Sequence, residues 1–296
     1  MPDHQTLYVR GHKLAVLPLN PQAAGEPIIL LHGVSHSVGG WLSDTVFQRL
    51  GPCYSLSLPG HYPAAFPDGF GRDQLTTELI ADLLAGAIRQ VAGERSVTVA
   101  GFSTGGYAAL ALAALRPERI SRVICMAGFA QGVWHGPIGA WQRRARGGRL
   151  TRARLRLELE ALKYLPLQSF IRGPIWQRSA GDTPNISANP LLPAYAAGLH
   201  RYFRGFDAPA FLLYCQAMAE IDLRPLLGRI ALPTLVMWGS RDPIVPPAQG
   251  QLIADAVPDA TAAILHGAGH LLMLERPDEY RQIISDWMAL PVIGGR

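Results

Sequence analysis

Little in this chain marks it for a membrane, a disulfide framework or a metal. No apolar run approaches a bilayer span, because Gly, Pro or a charged residue interrupts each one within about a dozen residues. The N-terminus, Met1-Pro2-Asp3-His4-Gln5, has neither the basic segment nor the apolar stretch of a secretory signal. Three cysteines, Cys53, Cys125 and Cys215, are odd in number and far apart, with no C-x-x-C pair. That excludes a disulfide scaffold and points to a reduced, cytoplasmic protein whose cysteines act as small buried apolar residues. No zinc-type arrangement of histidines and cysteines occurs, so neither a metal nor a cofactor is expected. The net charge of +5 rests on one local run of arginines with no reader motif beside it, so nucleic acid is not an expected partner.

What is present begins at Gly101-Phe102-Ser103-Thr104-Gly105. It directly follows the apolar run Ser96 to Ala100 and directly precedes the Ala/Leu-rich stretch Gly106 to Leu115. A strand, a sharp turn and a helix in that order form a nucleophile elbow, where small residues must stand two positions either side of the nucleophile. Gly101 and Gly105 meet that need, so Ser103 is the candidate nucleophile. A serine hydroxyl needs a base to take its proton, and a carboxylate to fix the tautomer of that base. Pro233 to Gly239 reads as a buried strand whose following turn carries Asp242; Ala260 to Leu265 reads as the next strand, and His270 follows it. His266 competes for the role of base but lies at the end of the strand itself. Pro27 to Leu31 is a short apolar strand ending in His32-Gly33-Val34, from which the Val34 N–H, with the Thr104 N–H, can form a two-donor oxyanion hole.

Taken together, Leu31-His32-Gly33, Leu58-Pro59-Gly60-His61, Gly101 to Gly106, Gly239 to Asp242 and Gly267 to Leu271 resemble the α/β-hydrolase fold superfamily, in its serine carboxylesterase-like branch with a helical cap. The resemblance covers roughly residues 7 to 290. It implies Ser103 as nucleophile, His270 as base, Asp242 as its orienter, and the Val34 and Thr104 amides as oxyanion hole. Two departures stand out. Many relatives carry an acid before the Leu-Pro-Gly-His segment and a small residue after it, whereas Ser57 and Tyr62-Pro63 stand here.

Composition fits one α/β domain with an insertion: 296 residues at 49% hydrophobic content can bury a sizeable core but are short for two full domains. Leu7 to Leu19 suggests a hairpin turning at Gly11-His12. Strands are then expected at Ile28–His32, Tyr54–Leu58 and Arg119–Ala127, with helices at Gln74–Val91 and Pro277–Leu290. Alternation of this kind implies a mostly parallel sheet with helices on both faces. The pattern breaks between about Phe129 and Leu227, so the expected layout is a core of 1–128 and 228–296 with a helical cap at 129–227. His32, Trp41, Phe102, Trp134 and Leu271 are candidates to line the substrate pocket, with His32 also supporting the oxyanion loop. His36 and His61 fall near the site entrance without an assigned role.

Within the insertion, Arg143, Arg144, Arg146, Arg149, Arg152, Arg154 and Arg156 form a strongly basic run. Leu155, Leu159 and Leu162 fall at helical spacing, so the arginines fit a solvated outer face. The other reading is a docking patch for an anionic group such as a carrier phosphopantetheine, a coenzyme A phosphate or an acidic lipid surface.

A serine nucleophile excludes the dehalogenase and epoxide hydrolase chemistry of this fold, which requires a carboxylate. Carbon–carbon bond hydrolases are set aside as well, because Val34-Ser35-His36-Ser37 lacks their glycine-rich loop. The expectation is a hydrolase of carboxylic esters of small to medium acyl size. A thioesterase or lactonase of specialised metabolism is the alternative within the enzyme class, separable by matched oxygen and thiol esters. A triad-bearing small-molecule receptor is the alternative outside it, separable by a ligand that stabilises the protein without being turned over.

Overall fold

In the computed structural model, which describes residues 3–291, the chain opens on the expected hairpin, with β1 (Gln5–Val9) antiparallel to β2 (His12–Pro18). Its turn falls one residue earlier than expected. Val9 pairs with His12, and Arg10 and Gly11 take left-handed φ values of 48° and 77°, as a two-residue type I′ turn demands. The remaining strands are β3 (Ile28–Leu31), β4 (Cys53–Leu56), β5 (Val97–Phe102), β6 (Ile120–Met126), β7 (Thr234–Gly239) and β8 (Ala260–Leu265). They complete one eight-stranded sheet in the order β1-β2-β4-β3-β5-β6-β7-β8, parallel from β4 through to β8.

This topology positions the site. The chain steps from β3 outward to β4, then crosses back over β3 to β5, so the winding direction reverses beside β3. In such sheets the crevice at the carboxyl ends of the strands flanking the reversal is where ligands bind. Strand β3 is apolar throughout because both of its faces are covered: Ile29 and Leu31 enter one core layer, and Ile28 and Leu30 the other. The helices Thr77–Ala92, Thr104–Leu115, Pro247–Ala256 and Pro277–Ala289 cover the sheet. The first starts three residues later than Gln74 because the Thr76 side chain accepts the Leu79 N–H and caps it there.

Between β6 and β7 the chain forms helices at Gly136–Ala145, Arg149–Leu162, Leu167–Ile171, Pro174–Ser179, Leu192–Phe203 and Ala208–Met218. These helices seat on the core through backbone contacts that only glycine allows. A Cβ at Gly39 would lie 2.1 Å from the Gly198 carbonyl oxygen, and one at Gly132 would lie 1.8 Å from that of Met218.

Ser57, the first departure from the expected pattern, is buried and ties two strands together. Its Oγ accepts the Ala15 N–H at 2.8 Å and its own N–H donates to the Ala15 carbonyl at 2.8 Å. The position is used for sheet pairing rather than for charge.

Candidate active site

Ser103 follows β5 directly, and its backbone adopts φ 56° and ψ −117°, a left-handed conformation that L-residues avoid. The strain is held from both sides. The Ser103 N–H donates to the Met126 carbonyl at 2.8 Å, and the Ser103 carbonyl accepts the Tyr107 N–H at 3.1 Å as the helix Thr104–Leu115 begins. The flanking glycines are sterically required: a Cβ at Gly101 would lie 2.0 Å from the Gly105 carbonyl oxygen, and one at Gly105 would lie 2.3 Å from that of Leu31. Strain retained at a turn that the surrounding structure fixes is a mark of functional sites.

Asp242 follows β7 by three residues and His270 follows β8 by five, so the ends of three parallel strands bring all three side chains together. His270 Nδ1–H donates to Asp242 Oδ2 at 2.7 Å, which leaves Nε2 to accept from the Ser103 hydroxyl at 3.0 Å. The other Asp242 oxygen accepts the N–H groups of Ile244 and Val245 at 2.8 and 2.9 Å, so both carboxylate oxygens are engaged. The three residues are buried. His266, the competing base, lies on the exposed surface away from this line.

After β3, Gly33 to His36 form a turn closed by the His36 N–H to the Gly33 carbonyl at 3.1 Å, with Ser35 at φ 61°. Among the described residues, the N–H groups of Val34 and Thr104 have no acceptor. His32 lies beneath this turn. Its Nδ1–H donates to the Gly33 carbonyl at 2.9 Å and its Nε2 accepts the Leu58 N–H at 3.2 Å.

A cavity of about 370 Å³ opens above Ser103 and His270 and is walled by the inserted helices. Of the five residues expected to line a pocket, Phe102, Trp134 and Leu271 do so. His32 and Trp41 do not. His32 is buried under the turn that it braces, and Trp41 is buried against Phe47, with ring centroids 5.8 Å apart. The side chains that sequence reasoning did not supply come mostly from the insertion: Trp141, Leu159, Phe170 and Trp176. His36 also lines the cavity, stacked on Phe102 with centroids 5.7 Å apart, and burial with the nearby His270 lowers its pKa to about 3. His61 is buried against Tyr214, where desolvation lowers its pKa to about 4. Both rings are therefore neutral near pH 7.

Glu275 is the residue that sequence reading missed altogether. Its Oε2 accepts the Gly181 and Gly269 N–H groups at 2.8 and 3.0 Å and the Thr183 hydroxyl at 3.0 Å, while Oε1 accepts the Leu271 N–H at 3.2 Å. One buried carboxylate thus binds the two neighbours of His270 to the insertion. Ser179 reinforces the seam, because its carbonyl accepts the His270 N–H at 2.9 Å. The available signal was a lone carboxylate ending the apolar run Leu271-Leu272-Met273-Leu274.

The profile of the alpha/beta hydrolase family matches residues 28–283. The chain belongs to that family. It is 31% identical to a 3-oxoadipate enol-lactonase of Acinetobacter baylyi over 79% of this chain and 76% of the relative. It is 27% identical to a 2-hydroxy-6-oxo-6-phenylhexa-2,4-dienoate hydrolase of Burkholderia cepacia over 96% and 95%. Among solved structures, the enol-lactonase of Burkholderia xenovorans LB400 superimposes with a TM-score of 0.74 at 21% identity, covering 97% of this chain and all of that one. Relatives therefore include the carbon–carbon hydrolases that the loop after β3 had argued against, along with esterases. What they share is hydrolysis on this fold.

Proposed function

We propose that this hydrolase cleaves carboxylic esters of small to medium, largely apolar acyl groups through an acyl-enzyme on Ser103. The observation that carries the reading is the Ser103–His270–Asp242 hydrogen-bonded line opening into an apolar cavity. His270 Nε2 takes the Ser103 proton as Oγ attacks the ester carbonyl, and Asp242 holds the imidazole tautomer and balances the imidazolium. The Val34 and Thr104 N–H groups, without acceptors among the described residues, receive the oxyanion at the N-terminus of the helix Thr104–Leu115. His270 then protonates the departing alkoxide, and a water activated at the same Nε2 hydrolyses the acyl-enzyme. The inserted helices act as the cap that excludes bulk water and holds the acyl arm.

The cavity argues for an acyl arm without its own charge. Two arginines reach it, but Arg144 is held by the Glu158 carboxylate at 2.7 and 2.6 Å, and Arg178 lies on the exposed rim. The dienoate of the Burkholderia cepacia relative's name would need a cation deep in the site, and among the described residues the cations at this cavity are the Glu158-held Arg144 and the rim Arg178. A lactonase reading, on a lactone without a free carboxylate, uses the same steps with the alkoxide remaining tethered to the acyl group, and the 31% identity to an enol-lactonase supports it.

The test is turnover of p-nitrophenyl acyl esters of increasing length, with a γ-lactone alongside, by wild type and Ser103→Ala. Loss of the nucleophile is expected to lower turnover by at least about a thousandfold. A Ser103→Ala protein that keeps ester turnover overturns the mechanism.

A further inference from the structure

Apart from Arg144, which reaches the cavity, the basic run of the insertion forms a surface away from the active site. The helix Arg149–Leu162 buries Leu155 and Leu159 against the helices Gly136–Ala145 and Ala208–Met218. Its opposite face is apolar as well. Leu150, Ala153, Leu157, Ala161 and, in the following turn, Tyr164 recur at i, i+3, i+7, i+11 and i+14, and all five are exposed. Leu150, Leu157 and Tyr164 are 79%, 70% and 76% exposed, the largest values among the bulky apolar side chains described. A solvated helix face has no reason to align its largest aliphatic residues outward.

The arginines divide into two groups. Arg144 is held by Glu158, and Arg152 turns back to donate to the Gly147 carbonyl at 2.7 Å. Arg143, Arg146, Arg149, Arg154 and Arg156 have no carboxylate partner among the described residues. By helical position, Arg149 and Arg156 flank one side of the apolar stripe and Arg154 the other. Long guanidinium stems beside an exposed leucine row are suited to an interface whose centre is apolar and whose margin is anionic.

We propose that this helix docks peripherally on an anionic lipid surface, with Leu150, Leu157 and Tyr164 entering the headgroup boundary and Arg149, Arg154 and Arg156 contacting the lipid phosphates. Among the described residues no helix is long and apolar enough to cross a membrane, so the attachment is to one leaflet. Charge points to the occupant: Arg149, Arg154 and Arg156 stand beside the stripe with no carboxylate partner among the described residues, which suits an anionic surface, and a second copy of the chain is an outcome of the test below. The inner face of the same helix supplies Leu159 and Leu162 to the cavity wall, and Tyr164 immediately precedes the lining residue Leu165. Docking would therefore hold the cavity beside the bilayer, where a lipophilic ester resides. That consequence rests on the esterase reading, but the docking itself does not.

The experiment is flotation of the full chain with phosphatidylcholine vesicles, with and without phosphatidylglycerol, at low and high salt. Recovery with the anionic vesicles is expected, falling steeply with salt, at about a fivefold loss of partitioning per arginine neutralised. The variants are Leu150→Ser/Leu157→Ser/Tyr164→Ser and Arg149→Gln/Arg154→Gln/Arg156→Gln. Each is expected to lose at least tenfold in vesicle partitioning, by roughly the transfer cost of the side chains removed. Hydrolysis of a soluble short-chain ester should be unchanged in both, which shows that they fold. Ser103→Ala should float like wild type, so failure of docking and failure of the catalytic reading are separable. Equal recovery with and without the anionic lipid, no recovery at all, or either triple variant floating like wild type would overturn the proposal. So would a dimer that the leucine variant abolishes, or an acidic carrier protein that binds while vesicles do not.

Discussion

Acidification should unfold this protein through histidines far from its surface charges. His32 and His61 are buried, and burial is the first cause that lowers the pKa of each from the ordinary value of 6.5, to about 4 for His61 and well below 6.5 for His32. The hydrogen bonds say the same. His32 Nε2 accepts the Leu58 N–H, so a proton there would meet a donor. His61 Nδ1–H donates to the Pro59 carbonyl, and its Nε2 is buried without a partner, so a proton there would be an unpaired cation. His36, with His61, His270 and Tyr195 around it, is lowered to about 3.

Because the folded pKa lies below the unfolded one, the unfolded chain binds more protons between the two values. Stability is complete above 6.5 and is lost as pH falls toward the folded values. Each histidine kept neutral costs about 1.4 kcal/mol per pH unit below 6.5. His61 therefore removes about 2 kcal/mol by about pH 5 and His36 up to about 2 more, with His32 acting in the same direction, against a total of about 5–15 for a domain. Asp44, whose pKa is raised by burial, works in the opposite direction only nearer the carboxylate range. Urea unfolding between about pH 7 and about pH 5 measures the slope directly, and His61→Phe should flatten it by about one proton. A stability that is flat over this range, or a slope that His61→Phe leaves unchanged, would refute the assignment.

Two substitutions test the framework around His270 and Ser103. Glu275→Gln keeps the volume but turns an amide donor toward backbone donors; kcat should fall about ten- to a hundredfold with KM nearly unchanged, and equal loss in KM would mark a general collapse instead. Gly105→Ala places a methyl 2.3 Å from the Leu31 carbonyl oxygen and should cost at least about 3 kcal/mol in chemical denaturation, whereas Gly228→Ala, with nothing within 4 Å, should stay within about 0.5.

The elbow was legible because its requirements are local. Gly101 and Gly105 are demanded by contacts within five residues of Ser103 and by the strand beside it, so the sequence there encodes the geometry almost unaided. Asp242 and His270 were legible because the end of a parallel strand is a place in the fold as well as in the chain. His32 and Trp41 were misplaced for the opposite reason. His32 stands at the right strand end, but its ring is drawn beneath the sheet edge by Leu58, twenty-six positions away. Trp41 sits on a short helical turn whose position is set by the contact of Gly39 with Gly198. No periodicity within either segment reports such a partner.

The same distinction explains why the insertion hides its function while the core displays it. Its helices could be anticipated, but what seats them is a set of glycine and carboxylate contacts across long separations. Gly39 meets Gly198, Gly132 meets Met218, and Gly181 reaches Glu275 and the loop of His270. Fixed at these points, the inserted helices present a wall of fixed shape to the cavity. On the proposed function, Trp134, Trp141, Phe170 and Trp176 decide which esters fit, and the seam at Glu275 makes any shift of that wall a shift of the loop that carries His270. On this geometry, substrate fit and base position are coupled: an acyl arm that pushes the helix Pro174–Ser179 outward also pulls on the hydrogen bond from His270 to Ser179. Poorly fitting esters should then lose in kcat as well as in KM, which a cap resting freely on the core would not produce.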